Sequence, residues 1–319
     1  MRNFSIPMGL LALGLLTLST AARADIAVSG NDGKQVRRGD VPMAPTPDSI
    51  SIIAFGGDAA PKVIGDIGVC ATMIGPPVAI AVARDYGYAL ATCPQKLDAD
   101  GKHAPENIVS VIGLDDPTHP KLLQTAHAGA GATGVSINRA GTLALVSAVN
   151  DDTVTVFSIK DRHLTEVGKI QLEAKSEPRD VVFAPDGRSA YVMRWGDGKV
   201  TRLKVNGSNV SRAGDFTVGV NPDGGIVTQD GRYLINTNFG GAPGADGKGA
   251  ITVTDLRSGK LANVYAVGPQ PEHVALSADG KYLVAVVSNN SATTPGGRGF
   301  DTVFGKLVVF GVSGGKLTR

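Results

Sequence analysis

The sequence predicts an all-β protein, a β-propeller of four-stranded blades, on the basis of a repeated frame. In four stretches a Pro or Ala is followed nine residues later by a turn Gly and then by an alternating apolar run: Ala132–Gly141, Pro178–Gly187, Pro222–Gly231 and Pro271–Gly280. The turn glycines lie 46, 44 and 49 residues apart, a period typical of propeller blades. The composition agrees, because 42 Gly and 18 Pro among 319 residues leave no long helix-period stretch.

Each repeat divides into four predicted strands. In the unit at 178–220 we expect an inner strand at Arg179–Phe183, then Ser189–Arg194 and Lys199–Val205, and an outermost strand near Ser211–Val218. The same layout predicts second and third strands at Thr142–Ala148 and Thr153–Ile159, Tyr233–Asn238 and Ala250–Leu256, and Tyr282–Val287 and Lys306–Val312. A weaker copy has strands at Val78–Ala83, Tyr88–Cys93 and Ile108–Gly113. The sequence therefore predicts five full repeats.

The N-terminal region resembles a partial sixth unit without an inner strand. Its predicted strands are Ile26–Ser29, Ser49–Phe55 and Lys62–Ile67. The last residues, Lys316–Arg319, fall inside a predicted outermost strand, so no C-terminal inner strand is left to complete the partial unit. We expect either imperfect closure with six units or a sequence that is incomplete at the C-terminus.

The first 24 residues have the pattern of a secretory signal. Arg2 is followed by a mostly apolar run from Met8 to Leu18 and by the small-x-small sequence Ala22-Arg23-Ala24. This predicts a single propeller domain at 25–319 in a periplasmic or secreted protein, with an uncleaved anchor as the alternative. The net charge of +2 comes from scattered charges without a Lys/Arg block, which argues against nucleic-acid binding. We expect no membrane span after cleavage, and a monomer.

The two cysteines, Cys70 and Cys93, are expected to form a disulfide. An exported chain folds in an oxidising compartment, and the strand map places both residues on one face of adjoining blades. Two separately buried thiols are the alternative. The chain has no CxxCH motif, which excludes covalent attachment of c-type haem.

The repeat motifs resemble those of YVTN-type propellers. The motifs are Phe183-Ala184-Pro185-Asp186-Gly187-Arg188-Ser189-Ala190-Tyr191-Val192, Leu276-Ser277-Ala278-Asp279-Gly280-Lys281-Tyr282-Leu283 and the third strand Asp152-Thr153-Val154-Thr155-Val156-Phe157-Ser158-Ile159. The resemblance covers roughly residues 25–319. It implies membership of the superfamily of lactonase-like, 6-phosphogluconolactonase-related propellers, whose rings usually have seven blades. The fold alone leaves the activity open.

Candidate site residues lie where the inner strands begin, on what we call the top face. Directly after the Pro or Ala of the frame come a few polar side chains, and these form the predicted ligand-binding set: Thr133, Arg179, Asp180, Asp223, Glu272 and His273. Clustered acids, a base and an imidazole can bind a cation or a polar metabolite, or perform acid–base catalysis. Polar residues at a propeller mouth can also simply pair with one another.

Three functions remain open at this point. We favour an exported, non-catalytic binding or scaffold protein that holds a protein partner or a small polar metabolite on the top face. The alternatives are a lactonase-like hydrolase of a sugar or carboxylic acid lactone, with Arg179, Asp180, Glu272 and His273 as catalytic candidates, and a periplasmic redox-partner subunit. The other four histidines lack metal-ligand spacing, so we expect no metal, and we expect no cofactor.

Overall fold

The computed structural model describes residues 25–34, 37–38, 41–56, 59–71, 79–83, 87–245, 248–291 and 303–319, and the predicted signal lies outside them. The described residues form strands, turns and loops, and none of them lies in a helix. Across these ranges we accordingly find no helical segment able to span a membrane. The prediction of an all-β chain is confirmed.

Blade 1 is a three-stranded sheet built by the N-terminal region. The chain begins with β1 (Asp25–Asn31), β2 (Arg37–Arg38), β3 (Val41–Pro42), β4 (Ser49–Gly56) and β5 (Ala59–Ile67). Strands β1, β4 and β5 pair in that order, and β2 and β3 form a separate two-stranded hairpin. This confirms the predicted partial unit of three strands.

Blades 2 to 6 are four-stranded antiparallel sheets whose strands pair in chain order. Blade 2 has β6 (Ile80–Ala83), β7 (Tyr88–Leu97), β8 (His103–Gly113) and β9 (Lys121–His127); blade 3 has β10 (Ala132–Ile137), β11 (Leu143–Ala148), β12 (Thr153–Lys160) and β13 (His163–Gln171); blade 4 has β14 (Pro178–Phe183), β15 (Ser189–Arg194), β16 (Lys199–Asn206) and β17 (Asn209–Thr217); blade 5 has β18 (Val220–Val227), β19 (Tyr233–Gly241), β20 (Ala250–Asp255) and β21 (Lys260–Ala266); blade 6 has β22 (Pro271–Leu276), β23 (Tyr282–Val287), β24 (Lys306–Ser313) and β25 (Lys316–Thr318). The five predicted full repeats are confirmed.

The apolar core lies between the blades. Five buried clusters each join two successive sheets, from blades 1 and 2 through to blades 5 and 6. In β11, Ala144 and Val146 pack toward blade 2, whereas Leu143 and Leu145 pack toward blade 4. Because successive side chains of a strand point to opposite faces, the alternating apolar runs of the sequence supply both contacts of a blade.

Hydroxyl groups also join neighbouring blades near the top face. Thr92, Ser147 and Thr237 occupy the same position in the second strands of blades 2, 3 and 5. Each hydroxyl donates to a backbone carbonyl of the next inner strand, as Ser147 does to Arg179 at 3.1 Å and Thr237 to Glu272 at 2.9 Å. These hydrogen bonds fix the starts of the inner strands relative to one another.

The segment Pro94–Glu106, which connects the predicted strands Tyr88–Cys93 and Ile108–Gly113, is largely strand. Strands β7 and β8 continue through most of it and pair as far as Leu97 and His103. The carboxylate of Asp98 accepts hydrogen bonds from the backbone N–H groups of Asp100 and Lys102 and closes the turn. An Asp at a turn can make such local bonds, and this allows the hairpin to extend.

The outward face of blade 6 is open in the described part of the chain. Leu307 of β24 is 71% exposed, although Val200, which has the same register position in blade 4, is fully buried against blade 5. This face of blade 6 therefore has the apolar character of the faces that pack against a neighbouring blade.

Candidate functional site at the starts of the inner strands

The inner strands of blades 3 to 6 all contain a β-bulge near their first residue. Their pairing is interrupted between Ala132 and Val135, between Pro178 and Asp180, between Pro222 and Gly225, and between Pro271 and His273. The residues skipped by the pairing include four of the predicted site residues: Thr133, Arg179, Asp223 and Glu272. Because a bulge redirects a side chain from the regular pleat, this local irregularity is what presents these side chains at the top face.

The six predicted residues differ in exposure. Thr133, Asp180 and Asp223 are buried, whereas Arg179, Glu272 and His273 are partly exposed. Only the second group can meet a ligand without a rearrangement of the inner strands.

Arg179 is held in a defined orientation. Its guanidinium lies 3.4 Å from the carboxylate of Asp223 on blade 5, and its central carbon lies 3.5 Å from the ring centroid of Trp195. The Trp195 ring contacts Phe239 with 4.9 Å between centroids. The side chain of Arg179 is 19% exposed. A cation fixed by a carboxylate and an aromatic face keeps donors free for an external anion or carbonyl oxygen.

Two carboxyl groups lie within the electrostatic influence of Arg179. Burial raises the pKa of Asp223 well above its ordinary value, and Arg179 opposes this increase. Burial also raises the pKa of Glu272, while a hydrogen bond with Ser288 and the charge of Arg179 lower it. A partly exposed carboxylate with a raised pKa is a stronger base than an ordinary carboxylate and can accept a proton from a bound water.

His273 is packed against a glycine of the preceding blade. Burial lowers the pKa of His273 to about 4, so the ring is neutral at pH 7. Its Nδ1 is buried and has no hydrogen-bond partner among the described residues. A Cβ at Gly224 would lie 2.1 Å from this nitrogen, which explains why blade 5 has no side chain at that position.

Asp180 joins blades 4 and 5. Its carboxylate accepts hydrogen bonds from the backbone N–H of Val181 at 2.7 Å and of Gly225 at 3.0 Å. Met193 occupies the position that a hydroxyl residue has in blades 2, 3 and 5, so the Asp180 carboxylate supplies the link between blades that a hydroxyl supplies elsewhere. Burial raises the pKa of Asp180 to about 7, against the effect of these two hydrogen bonds.

Thr133 is also part of the framework. Its side chain is buried, and its backbone carbonyl accepts the hydrogen bond from Thr92 of blade 2. Thr133 and Asp180 thus lie at the predicted positions, but their contacts are with neighbouring strands.

A cavity of about 380 Å³ opens on the top face beside Arg179. It lies between blades 2, 3 and 4, and its lining is mainly polar and charged: Gln95, Val149, Asn150, Asp152, Lys175, Glu177 and Arg179. Lys175 and Arg179 supply positive charge to this cavity. A polar cavity of this size is appropriate for a small hydrophilic ligand.

The loop at 173–177 forms one wall of the cavity, and Asp152 determines its shape. The Asp152 carboxylate accepts hydrogen bonds from the N–H of Lys175 at 2.7 Å, the N–H of Glu177 at 2.8 Å and the hydroxyl of Ser176 at 3.2 Å. Lys175 and Glu177 have φ values of 64° and 47°, in the left-handed region. Non-glycine residues in that region are concentrated at ligand sites, where the surrounding contacts hold them.

A second cavity, of about 310 Å³, lies on the opposite face between blades 4 and 5. It is bordered by the tight turns at Asp186 and Asp230, whose carboxylates accept hydrogen bonds from backbone N–H groups of the same turns. None of the six predicted site residues lines it.

The predicted disulfide between Cys70 and Cys93 is present, with 5.6 Å between the Cα atoms. A carboxylate oxygen of Asp48 lies within 4.8 Å of both sulfur atoms. Because the thiols are joined, they do not offer thiolates to a metal. The Asp48 carboxylate instead forms an ion pair with Lys34 and accepts the N–H of Ala71 at 3.1 Å.

The sequence did not identify the aromatic support of Arg179 or the cavity loop. Trp195 is the only tryptophan of the sequence. Its spacing does not indicate a contact with Arg179, because that contact depends on how the turn after β15 folds back over the start of β14. The role of Asp152 depends in the same way on a loop that lies more than 20 residues further along the chain.

The family model described as Lactonase, 7-bladed beta-propeller, matches residues 96–295. The chain belongs to this lactonase family. The resemblance expected from the repeat motifs is thereby confirmed. The family description specifies seven blades, whereas the described residues form six, of which the first has three strands.

Solved structures with the same fold include lactonase-like proteins. The periplasmic gluconolactonase of Pseudomonas aeruginosa superposes with a TM-score of 0.67 at 17% identity, over 92% of this chain and 80% of that one. A Bacteroides fragilis protein named for a proposed 6-phosphogluconolactonase activity gives 0.66 at 15% identity, over 92% and 79%. A protein of unknown function from Desulfotomaculum acetoxidans gives 0.61 at 15% identity, over 85% and 74%. At these identities the likeness shows the fold alone, and no curated protein sequence matches the chain.

Proposed function

We propose that the protein is a lactone hydrolase that opens a sugar lactone at the top face. What supports this proposal is membership of the lactonase family together with the lactonase names of two structural neighbours. The observation that carries it is the placement of Arg179, a fixed and partly exposed cation, beside the partly exposed carboxyl group of Glu272.

The chemistry assigns separate roles to these two side chains. Glu272 takes a proton from a water molecule as that water attacks the lactone carbonyl carbon. Arg179 donates hydrogen bonds to the carbonyl oxygen as negative charge develops on it. The bond to the ring oxygen then breaks, and the proton held by Glu272 passes to that oxygen, which gives the open-chain hydroxy acid. One water is consumed and no cofactor enters the balance.

The neighbouring residues prepare the site for these steps. Asp223 and Trp195 keep Arg179 in one orientation, so little rearrangement is needed as charge develops. The raised pKa of Glu272 makes it a stronger base than an ordinary carboxylate at the pH where it is ionised. His273 is neutral, so it adds no second positive charge that would lower the pKa of Glu272.

The experiment measures hydrolysis of D-glucono-1,5-lactone by proton release, with the spontaneous rate subtracted. Replacement Glu272→Gln is expected to lower kcat by about 10²–10⁴-fold, the usual contribution of a general base. Replacement Arg179→Lys is expected to lower kcat/KM by about 10²-fold, comparable to loss of one oxyanion donor. Glu166→Gln, on the exposed side of β13, is the matched control and should retain activity.

A wild-type protein that opens the lactone no faster than buffer rules out the hydrolase. Calorimetric titration with gluconate then tests the alternative hypothesis, a non-catalytic binding protein. Binding that is lost in Arg179→Lys would identify a binding protein that uses the same top face, and absence of binding would exclude this site for sugar acids altogether.

We also propose that the protein acts outside the cytoplasm as a monomer. The Cys70–Cys93 disulfide supports export, since such bonds persist in oxidising compartments, and one structural neighbour is named as periplasmic. Mass measurement of the exported protein would detect removal of the first 24 residues, and light scattering would give the oligomeric state.

A further inference from the structure

We propose that Arg194 is a positioning residue, which holds the cavity loop at 173–177 and the Trp195 ring in place and thereby orients Arg179. As far as it concerns turnover, this inference rests on the proposed lactone hydrolysis. Its structural part, the placement of Trp195 and Arg179, can be examined without any substrate.

Arg194 is an arginine with no exposed surface, at the end of β15. Its guanidinium donates to the carboxylates of Asp197 and of Asp215, the latter at 3.0 Å, and to the hydroxyl of Thr201 at 3.1 Å. It also lies 2.6 Å from a carboxylate oxygen of Glu173. A buried charge must be paired in this way, and the loss of a partner is strongly unfavourable.

The partners of Arg194 belong to separate segments that meet at the top of blade 4. Asp197 lies in the turn after β15, Asp215 lies in the outermost strand β17, and Glu173 begins the cavity loop. Arg194 therefore ties this loop to the body of blade 4 by a charge-assisted contact.

The backbone that follows Arg194 is also hydrogen-bonded to the cavity loop. The N–H of Trp195 donates to the carbonyl of Glu177 at 3.1 Å, and the N–H of Gly196 donates to the carbonyl of Ser176 at 2.9 Å. The cavity loop and the segment that carries the Trp195 ring are thus hydrogen-bonded as one unit. Arg179 lies two residues after this loop, and its guanidinium lies against the Trp195 ring.

Arg212 provides a matched control within the same ionic cluster. It binds Glu173 at 2.7 Å and Asp215 at 2.9 Å, and its side chain is 34% exposed. It lies on the solvent side of the cluster and is outside the proposed catalytic machinery. Arg212→Lys alters the hydrogen bonds at the exposed edge of the cluster and leaves its buried centre in place.

The experiment compares Arg194→Lys with Arg212→Lys in the full-length protein. Trp195 is the only tryptophan, so its fluorescence reports directly on the ring that supports Arg179. In Arg194→Lys we expect a red-shifted emission maximum and about twofold stronger quenching by acrylamide, because the segment loses its anchor and opens more often. Arg212→Lys should leave both signals unchanged.

The kinetic result should separate binding from chemistry. We expect Arg194→Lys to raise the KM for D-glucono-1,5-lactone about tenfold, equivalent to about 1.4 kcal/mol. Only the fraction of the free enzyme in which Arg179 is in place binds the lactone, and the bound lactone then holds Arg179 there for the chemical step, so kcat should stay within about twofold. A general loss of folded protein would lower the apparent kcat and leave KM unchanged. Circular dichroism of each variant verifies that it is folded.

Each combination of results decides one question. Unchanged Trp195 fluorescence and KM in folded Arg194→Lys would overturn the positioning role and leave the hydrolase standing. Altered fluorescence in a protein whose wild type has no lactonase activity would support the positioning role and reject the hydrolase. If Arg194→Lys does not fold, Glu173→Gln removes the loop side of the same contact at a half-exposed position, and an unchanged fluorescence there would overturn the inference.

Discussion

Replacement of Gly224 by Ala tests the packing that shapes the candidate site. The new Cβ would lie 2.1 Å from Nδ1 of His273 and 2.9 Å from the backbone carbonyl oxygen of Glu272. The first distance is more than 1 Å shorter than ordinary van der Waals contact, and the second atom belongs to the backbone of the next blade. A rotation of the His273 ring would relieve the first contact only, because the Glu272 carbonyl is part of the backbone. Blades 5 and 6 must therefore separate locally.

The expected cost is at the upper end of the range for overpacking, about 3 kcal/mol in the free energy of unfolding. For a domain of this size we expect the Tm to fall by roughly 5–10 °C. Urea denaturation followed by circular dichroism measures the free energy, and a thermal melt gives the Tm. Gly168→Ala is the control, since its Cβ would meet no atom within 4 Å, and it should change stability by less than about 0.5 kcal/mol.

A double-mutant cycle assigns the cost to the residue that causes it. If the imidazole is the main obstacle, Gly224→Ala combined with His273→Ala should be less destabilised than the sum of the two single changes by about 1–2 kcal/mol. Additivity within about 0.5 kcal/mol, or a Gly224→Ala protein as stable as the wild type, would refute the packing argument.

Two further predictions concern stability. The pKa of His273 falls from its ordinary 6.5 to about 4 on folding, so the unfolded chain takes up the proton first as the pH falls. The free energy of unfolding should therefore be highest above pH 6.5 and decrease by up to about 3 kcal/mol as the pH falls to 4. Urea unfolding at a series of pH values measures this decrease, which should be absent in His273→Ala. Replacing both Cys70 and Cys93 by Ser should lower the free energy of unfolding by about 3 kcal/mol through loss of a bond that spans 23 residues, and a reductant that destabilises the wild type should leave this variant unchanged.

The strand layout could be predicted from the sequence because its signals are local. The turn at Asp186-Gly187 and the alternation of Tyr191 and Val192 determine where strands begin and which face each side chain takes. The disulfide was also predictable, since the strand order alone brings Cys70 near Cys93. Neither inference required knowledge of how the blades pack against one another.

The roles of individual site residues depended on contacts between distant segments. Asp180 was a catalytic candidate by its position, but its carboxylate bonds to Gly225, 45 residues away, and so joins two blades. Arg179 was predicted at the mouth, yet its support by Trp195 follows from a turn whose path the strand pattern does not encode. The sequence repeat predicts where a side chain lies in its blade, whereas the residues that it contacts depend on packing between blades.

The same packing explains why the polar site residues are unevenly distributed around the ring. The third residue of the frame is Gly in blades 3 and 5. A Cβ at Gly134 would lie 2.6 Å from the carbonyl oxygen of Arg179, and a Cβ at Gly224 would lie 2.1 Å from Nδ1 of His273. Blades 4 and 6, which follow these glycines, carry the bulky pairs that begin with Arg179 and Glu272. A glycine in one blade thus makes room for the backbone of the next blade at the residue that carries the functional side chain. Chemistry at this mouth is therefore a property of blade pairs, and a substitution that introduces a side chain at Gly134 or Gly224 should displace the reactive group of the following blade.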